Sequence, residues 1–191
     1  MADIVTIRRA TQHDAGALIR GNTGSREFHA SWVEPFTDRD GFDRWFAETR
    51  TGRKVALVAE AEGAIVGLVN LNEIVYGMFC CASLGYYAMA GFGGRGLMTR
   101  AVELAVAHAF NDLGLHRVES NVQPGNLRSR ALVQRLGFRL EGYSPRYLRI
   151  AGIWRDHERW AKLADEEGQG RCPWAPPRGG GPLEPIPEGS W

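Results

Sequence analysis

The feature that most constrains this chain is MAGFGGRGLM, residues 89–98, which sets four glycines and an arginine between an apolar, tyrosine-bearing run and a helical pattern. Glycine at this density weakens a helix or a strand, so both neighbouring elements must end here and the backbone must turn. Backbone amides freed of side chains then lead directly into a helix N-terminus with its partial positive charge. The stretch reads as an anion-binding loop or as a bare glycine-rich turn. Two kinds of loop fit. Gly91, Gly93 and Gly96 satisfy the G-x-G-x-x-G dinucleotide fingerprint, and Gly94-Arg95-Gly96 fits a tighter phosphate cradle.

The surrounding pattern decides what the loop belongs to. Residues 3–9, DIVTIRR, read as a strand, and Thr11 with Asp14 makes a capping-box-like start for a helix running to about Asn22. In TDRDGFDRWFAETR, Phe42, Trp45 and Phe46 share a helical face, after a loop carrying Phe28, His29, Trp32 and Phe36. These aromatics read as core, although an early aromatic helical region would also serve as the wall of a substrate cleft. KVALVAEAEGAIVGLVNLNEI alternates apolar residues in two runs joined at Glu62-Gly63, the pattern of an antiparallel hairpin, and FCCASLGYYAM extends the sheet to the glycine loop.

Past the loop, Leu97, Ala101, Leu104, Ala105 and His108 recur at helical spacing as far as Leu113, with Gly114 as a stop. His108 on that stripe reads as a core or boundary histidine. LHRVESNV is a strand, GNLRSRALVQRLGF a second helix, and RLEGYSPRYLRIAGIWRDHERWAKL a closing hairpin turning near Ala151-Gly152. The order predicts an α+β domain, a mixed, mostly antiparallel sheet flanked by helices. From Ala164 onward the composition shifts, and GQGRCPWAPPRGGGPLEPIPEGSW holds six of the nine prolines. Residues 1–163 are therefore expected to form the domain and 164–191 a Pro/Gly-rich tail without its own core, with Trp174 available to pack on the domain.

Bulk properties narrow the partners. A chain of 191 residues with 44% hydrophobic content supports one well-buried domain and is short for two. Lysine plus arginine (23) nearly balances aspartate plus glutamate (22), so no global field draws nucleic acid or an anionic membrane. Cys80, Cys81 and Cys172 give neither a disulfide framework nor metal-site spacing; they are expected to be reduced, with no metal bound. The opening MADIVTIRRATQHD lacks a basic leader with an apolar core, and no apolar run approaches the ~18 residues of a membrane span. A soluble, cytoplasmic protein is expected.

A dinucleotide fold needs a continuous parallel sheet, an acidic residue about 20 positions on and further βα units. Glu119 stands at a tolerable distance, but an antiparallel meander precedes the loop and only one helix and a hairpin follow the next strand. The tighter loop, of the kind that cradles coenzyme A, gains from NVQPGNLRSRALVQRLGF, in which Asn126 and Ser129 open a helix ending at Leu136-Gly137-Phe138. An LGYY strand, F-G-G-R-G-L-M, the N-x-x-S helix start, R-L-G-F-x-x-E-G-Y and a final G-x-W-R-D-H follow one another in that order. On these motifs, over about residues 4–163, the chain resembles the GNAT superfamily of acetyl-CoA-dependent N-acetyltransferases. Within it the similarity is to the RimJ and RimL type, which acetylate ribosomal-protein N-termini.

The resemblance implies the GNAT fold, acetyl-CoA as cosubstrate without metal, and a protein N-terminus or small amine as acceptor. It places the coenzyme pyrophosphate on the backbone amides of Phe92, Gly93, Gly94, Arg95, Gly96 and Leu97, with Gly94 and Gly96 permitting close approach. The strand from Tyr86 through Tyr87 to Met89 would splay from its neighbour and offer backbone groups to the pantetheine arm, an amide near Met89 meeting the thioester oxygen. Asn126 would bond the pantetheine or hold the loop, Ser129 would sit at the thioester sulfur, and Arg95 and Arg128 are candidates for phosphate contacts. Two departures stand out. Gly91 occupies a position where many relatives carry Arg or Gln, and Val133 one where several carry a tyrosine acid; the second favours the branch that uses the Ser129 position.

Amide formation from a thioester needs a neutral amine, a stabilised oxyanion and a leaving thiolate. A thiol with a pKa of about 8.5 leaves with little acid help, so Ser129 orients the sulfur more than it protonates it. An α-amine near 7.7–8.0 is partly neutral at pH 7, so an N-terminal acceptor asks only for a modest base. Glu73, in NLNEIVYG, is the carboxylate chosen for that role, with Glu27, Glu34, Glu119 and Glu141 in competition. Tyr143, Tyr147 and Trp154 on the closing hairpin are candidates to line an acceptor groove. Asp156-His157 has the look of an acid/base pair but reads as structural. A non-catalytic acyl-CoA sensor, an enzyme for small amines, amino acids or antibiotics, and a homodimer through exposed strand edges remain open at this level.

Overall fold

The computed structural model describes residues 4–165. In chain order its elements are β1 (Thr6–Arg9), a 3-10 turn (Gln12–Asp14), α1 (Ala15–Gly24), α2 (Arg26–His29), α3 (Arg39–Glu48), β2 (Val55–Ala61) and β3 (Ala64–Val75). There follow β4 (Cys81–Ala88), α4 (Leu97–Asn111), β5 (Arg117–Val122), α5 (Leu127–Arg135), β6 (Arg139–Ile150) and β7 (Ile153–Leu163). The seven strands form one sheet in the order β1-β2-β3-β4-β5-β7-β6. Every neighbouring pair is antiparallel except β4 and β5. The α+β expectation holds, and the single parallel pair lies at the centre.

Local chemistry accounts for the punctuation. Glu62 (φ 54°) and Gly63 (φ 75°) close β2 on β3, and Ala151 (φ 47°) and Gly152 (φ 78°) close β6 on β7. Left-handed backbone at both central positions gives a turn whose twist matches the paired strands. At the N-terminal helix the Thr11 amide donates to Asp14 Oδ2 at 2.7 Å, completing the predicted capping box. Arg8 on β1 grips the same carboxylate at 2.7 and 2.8 Å and Glu60 of β2 at 2.7 Å. The Arg8 guanidinium holds the Asp14 carboxyl at about 2.

Two helical layers bury the sheet. On one face Leu18 of α1 and Phe42 of α3 pack with Val58 and Leu68, and Phe42 meets the rings of Phe36, Trp45 and Phe46 at 5.4–5.7 Å. On the other face Leu97, Ala101, Val102, Ala105, Val106, Ala109 and Phe110 of α4 cover Leu57, Ala59, Val69 and Leu71. Burial on both faces explains why VALVAEA of β2 reads as a nearly continuous apolar run. Helix α4 stops at Asn111, two residues before the expected Leu113, and His108 sits at its boundary with Nδ1 2.6 Å from Asp112. Cys81 is a buried free thiol whose burial pushes its pKa up to about 12. Cys80 beside it is buried as well. Cys172, Trp174 and the proposed tail lie outside the described residues. Among the described residues no helix is long and apolar enough to cross a membrane.

Candidate active site

Strand β4 has two unlike edges. Toward β3 it is paired as far as Gly67↔Ala88, and the Met89 amide then donates to the Val66 carbonyl at 2.9 Å. Toward β5 the pairing stops at Leu84↔Ser120. The two strands part beyond that point, and Gly85–Ala88 present an open edge. Because the Met89 amide points at β3, strand alternation turns the backbone groups of Tyr86 and Ala88 toward the opening. The Ala88 carbonyl there accepts a bond from His29 Nε2 at 2.7 Å.

The opening widens into a cleft of about 620 Å³. One wall is the glycine loop and the first turn of α4, contributed by Phe92, Gly93, Gly94, Gly96, Leu97, Met98 and Thr99. Gly94 (φ 80°) and Gly96 (φ 78°) are left-handed, and a Cβ at either would meet nothing within 4 Å. Gly96 is the N-cap of α4 and offers no side chain, so the first amides of the 15-residue helix are left for an outside acceptor. No acidic residue stands in that first turn. Arg128 and Arg135, two helical turns apart on α5, line the same cleft, and Arg135 Nη1 reaches Thr99 Oγ1 at 3.3 Å. Open space, free amides, positive helix dipole and two guanidinium groups fit a bound polyphosphate.

Helix α5 supplies the centre of the cleft. Asn126 caps it through Oδ1, which accepts from the Ser129 amide at 3.1 Å and fixes the first turn. The Ser129 hydroxyl lies 2.6 Å from the Tyr86 hydroxyl. Burial pushes the Tyr86 phenol up to about 12, with hydrogen bonds from Ser129 and Ser120 opposing the shift. Tyr86 therefore stays protonated throughout the neutral range. The far wall carries Phe28, His29, Trp32 and Val33 from α2 and its following loop, Gln123, and Leu148, Ile150 and His157 from the closing hairpin.

The acetyltransferase (GNAT) domain family model matches residues 5–139. The chain belongs to the GNAT acetyltransferases. The uS5-alanine N-acetyltransferase of Escherichia coli is 32% identical over 166 residues, 81% of this chain and 85% of that protein. A probable N-acetyltransferase of Bacillus subtilis, YjcK, is 37% identical over 109 residues, 57% of this chain and 60% of the relative's length. Among solved structures, Mycobacterium smegmatis RimJ in complex with CoA-disulfide superposes with a TM-score of 0.78 at 34% identity, covering 88% of this chain and 86% of that one.

The acetyltransferase gathers most of the residues expected from its sequence in this one cleft: Tyr87, Phe92, Gly93, Gly94, Gly96, Leu97, Asn126, Arg128 and Ser129. Three others stand elsewhere. The Met89 amide is committed to Val66, so Ala88, one residue earlier, carries the amide that faces the opening. Arg95 turns outward, bonding Glu62 at 2.8 Å with its guanidinium 5.9 Å from the Phe92 ring centroid. Glu73 sits at the β3 bulge, its side chain 69% exposed and paired with Arg53, away from the cleft. That placement removes the basis for choosing Glu73 as base. The competing Glu119 and Glu141 are both paired with Arg117, and among the described residues no carboxylate lines the cleft.

Sequence reasoning missed the Tyr86 hydroxyl, the Ala88 amide, Arg135 and the position of His157. The seven-residue interval from Arg128 to Arg135 was a legible signal, since it puts both on one face of α5. The aromatic loop divides: Phe28 and Trp32 line the cleft with His29, while Phe36 joins the core. Asp156 and His157 point to opposite sides of β7. Asp156 accepts from the Tyr143 hydroxyl and from the Arg146 amide, and lies with Trp154 and Tyr143 on a second groove that meets the cleft at Trp32 and Gln123.

Proposed function

We propose that this enzyme transfers acetyl from acetyl-CoA to the N-terminal α-amine of a protein, a ribosomal protein in the first instance, and that it does so in the cytoplasm. The observation that carries the reading is the open edge of β4, bounded by the glycine loop on one side and by Asn126, Ser129 and Tyr86 on the other. The uS5-alanine relative and the RimJ neighbour support the choice of acceptor. The groove beside Trp32, Tyr143 and Trp154 gives a peptide beyond its first residue a path out of the cleft. We assign residues 1–163 to the catalytic domain.

Acetyl-CoA supplies an activated acyl group with a good leaving group; the chain's own residues do the rest. The amides of Gly94, Arg95, Gly96 and Leu97 and the α4 dipole bind the pyrophosphate, assisted by Arg128 and Arg135. The Tyr86 and Ala88 backbone groups align the pantetheine arm, and the Ala88 amide donates toward the oxygen on which negative charge develops. Tyr86 donates to Ser129 Oγ, which leaves the Ser129 proton free to hydrogen-bond the departing sulfur. Direct attack by the amine forms the C–N bond and a tetrahedral oxyanion, which then collapses as the C–S bond breaks and the thiolate leaves, without an acyl-enzyme.

The test is acetyl-CoA-dependent thiol release across short peptides beginning with Ser, Ala or Met, their blocked counterparts, and small amines. Turnover on free-amine peptides alone is the expected result. Turnover on small amines but on no peptide overturns the assigned acceptor.

A further inference from the structure

We infer that His157 Nε2 takes the proton from the acceptor amine as it adds to the thioester, an inference that rests on the acetyl-transfer reading above. It follows by elimination among the groups that line the cleft. Among the described residues no carboxylate is there. Arg128 and Arg135 hold no lone pair for the task. Burial keeps Tyr86 and Tyr87 protonated, and the remaining polar groups are neutral hydroxyls and amides. Two imidazoles are left, His29 and His157.

Their hydrogen bonds distinguish them. His29 donates through Nε2 to the Ala88 carbonyl, and its Nδ1 is buried without a partner among the described residues, beside the rings of Tyr87 and Phe28 at 4.9 and 5.8 Å. Its lone pair faces packing. His157 is 2% exposed, and its Nδ1 lies 3.0 Å from the Arg155 carbonyl. A carbonyl only accepts, so Nδ1 carries the hydrogen and the lone pair of the neutral ring is on Nε2. Nε2 has no protein partner among the described residues, and the ring borders the cleft. The register sets it opposite Ser144 of β6 and one residue past the Val122↔Glu158 pair, the last that β7 makes with β5.

The surroundings keep the ring neutral. From β6 it meets Tyr147, ring to ring at 6.1 Å. Along β7 its neighbours are Arg155, Asp156, which bonds Tyr143 and the Arg146 amide, and Glu158, which is paired with Arg130 at 2.9 Å. His29 and Arg128 border the cleft from α2 and α5. Burial outweighs the Arg155 carbonyl and the Asp156 charge and lowers the imidazole pKa below 6.5. In the reaction the amine forms the C–N bond, its surplus proton moves to Nε2, and the C–S electron pair leaves with sulfur. The imidazolium returns the proton to water, and the thiolate takes one from water, so amine and thioester become amide and thiol.

The experiment compares the full chain with its His157→Gln and His157→Asn variants, following thiol release on an accepted free-amine peptide from pH 5.5 to 9. The expected result is a fall in kcat of about 100-fold, the lower end for general-base loss, an unchanged acetyl-CoA dissociation constant, and partial recovery with added imidazole. The acid limb of the wild-type kcat profile, centred below 6.5, should vanish. A variant within about threefold of wild type that retains the limb overturns the assignment. Should both variants fail to fold, nitrogen NMR of the native ring decides: an Nδ1–H tautomer titrating below 6.5 supports the assignment, and an Nε2–H tautomer overturns it. A wild-type chain silent on every amine removes the acetyl-transfer reading itself, whereas active variants remove only the role of His157.

Discussion

The two walls of the cleft are built from different materials. The wall formed by the glycine loop and α4 works through backbone: left-handed glycines, free amides and a helix dipole, with Arg128 and Arg135 reaching in from α5. The wall formed by α2 and the β6–β7 hairpin works through side chains, His29, Trp32, Leu148 and His157, whose positions depend on which way a strand or short helix faces. The difference teaches where specificity can change. A backbone site is destroyed by adding atoms, while a side-chain site is retuned by exchanging them.

The sharpest way to break this comparison is Gly94→Glu. A side chain at φ 80° is strained, and a carboxylate there repels the pyrophosphate. Acetyl-CoA affinity should fall on the order of 100-fold, equivalent to ~3 kcal/mol; calorimetry on the folded variant measures it, and unchanged affinity would remove the loop from the site. Ser129→Ala comes next. Because a thiolate leaves readily, kcat should drop about tenfold with acetyl-CoA affinity kept, and Tyr86→Phe should give a smaller loss in the same direction. Steady-state kinetics paired with binding separates the two effects.

Arg135→Ala should weaken acetyl-CoA binding about threefold, and the gap to wild type should narrow at high salt, as for an exposed charge. On stability, burial holds both His29 and His157 below the usual histidine value. The unfolded chain then binds more protons between its own value near 6.5 and the lower folded values, so stability should fall as pH drops through that window. Asp14 acts further down, its share present above about 3.8 and lost as pH falls toward 2. Urea midpoints at pH 7.5, 5.5, 4.5 and 2.5 check the order. The smallest effect belongs to Glu73→Gln: an exposed ion pair with Arg53 predicts stability within about 0.5 kcal/mol of wild type and an unchanged kcat.

The same division explains what could be read in advance. Every strand and each long helix announced itself by periodicity, and both hairpin turns by a glycine at the second central position. The glycine-loop wall was legible for the same reason, since glycine content reports backbone conformation directly. Which amide near Met89 faces the opening was not legible, because alternation along β4 depends on pairing with β3, a long-range fact absent from local spacing. Glu73 looked available because a strand end was taken to face the cleft, whereas the bulge between Asn72 and Val75 turns it to Arg53. His157 and Asp156 are neighbours in sequence but lie on opposite faces of β7, so the pleat separates them, in keeping with the reading that set aside an acid/base pair.

The parting of β4 from β5 has a further consequence for the folded chain. Exposed sheet edges invite pairing with other molecules, yet this one lies inside the domain, walled by the glycine loop and helices α4 and α5. It admits only something narrow and chain-like that brings its own amide groups. An extended thioester arm threaded there would act as a short eighth strand lent to the sheet. Occupancy should then slow hydrogen exchange at Tyr86 and Ala88, and the unfolding temperature of the enzyme should climb with coenzyme concentration.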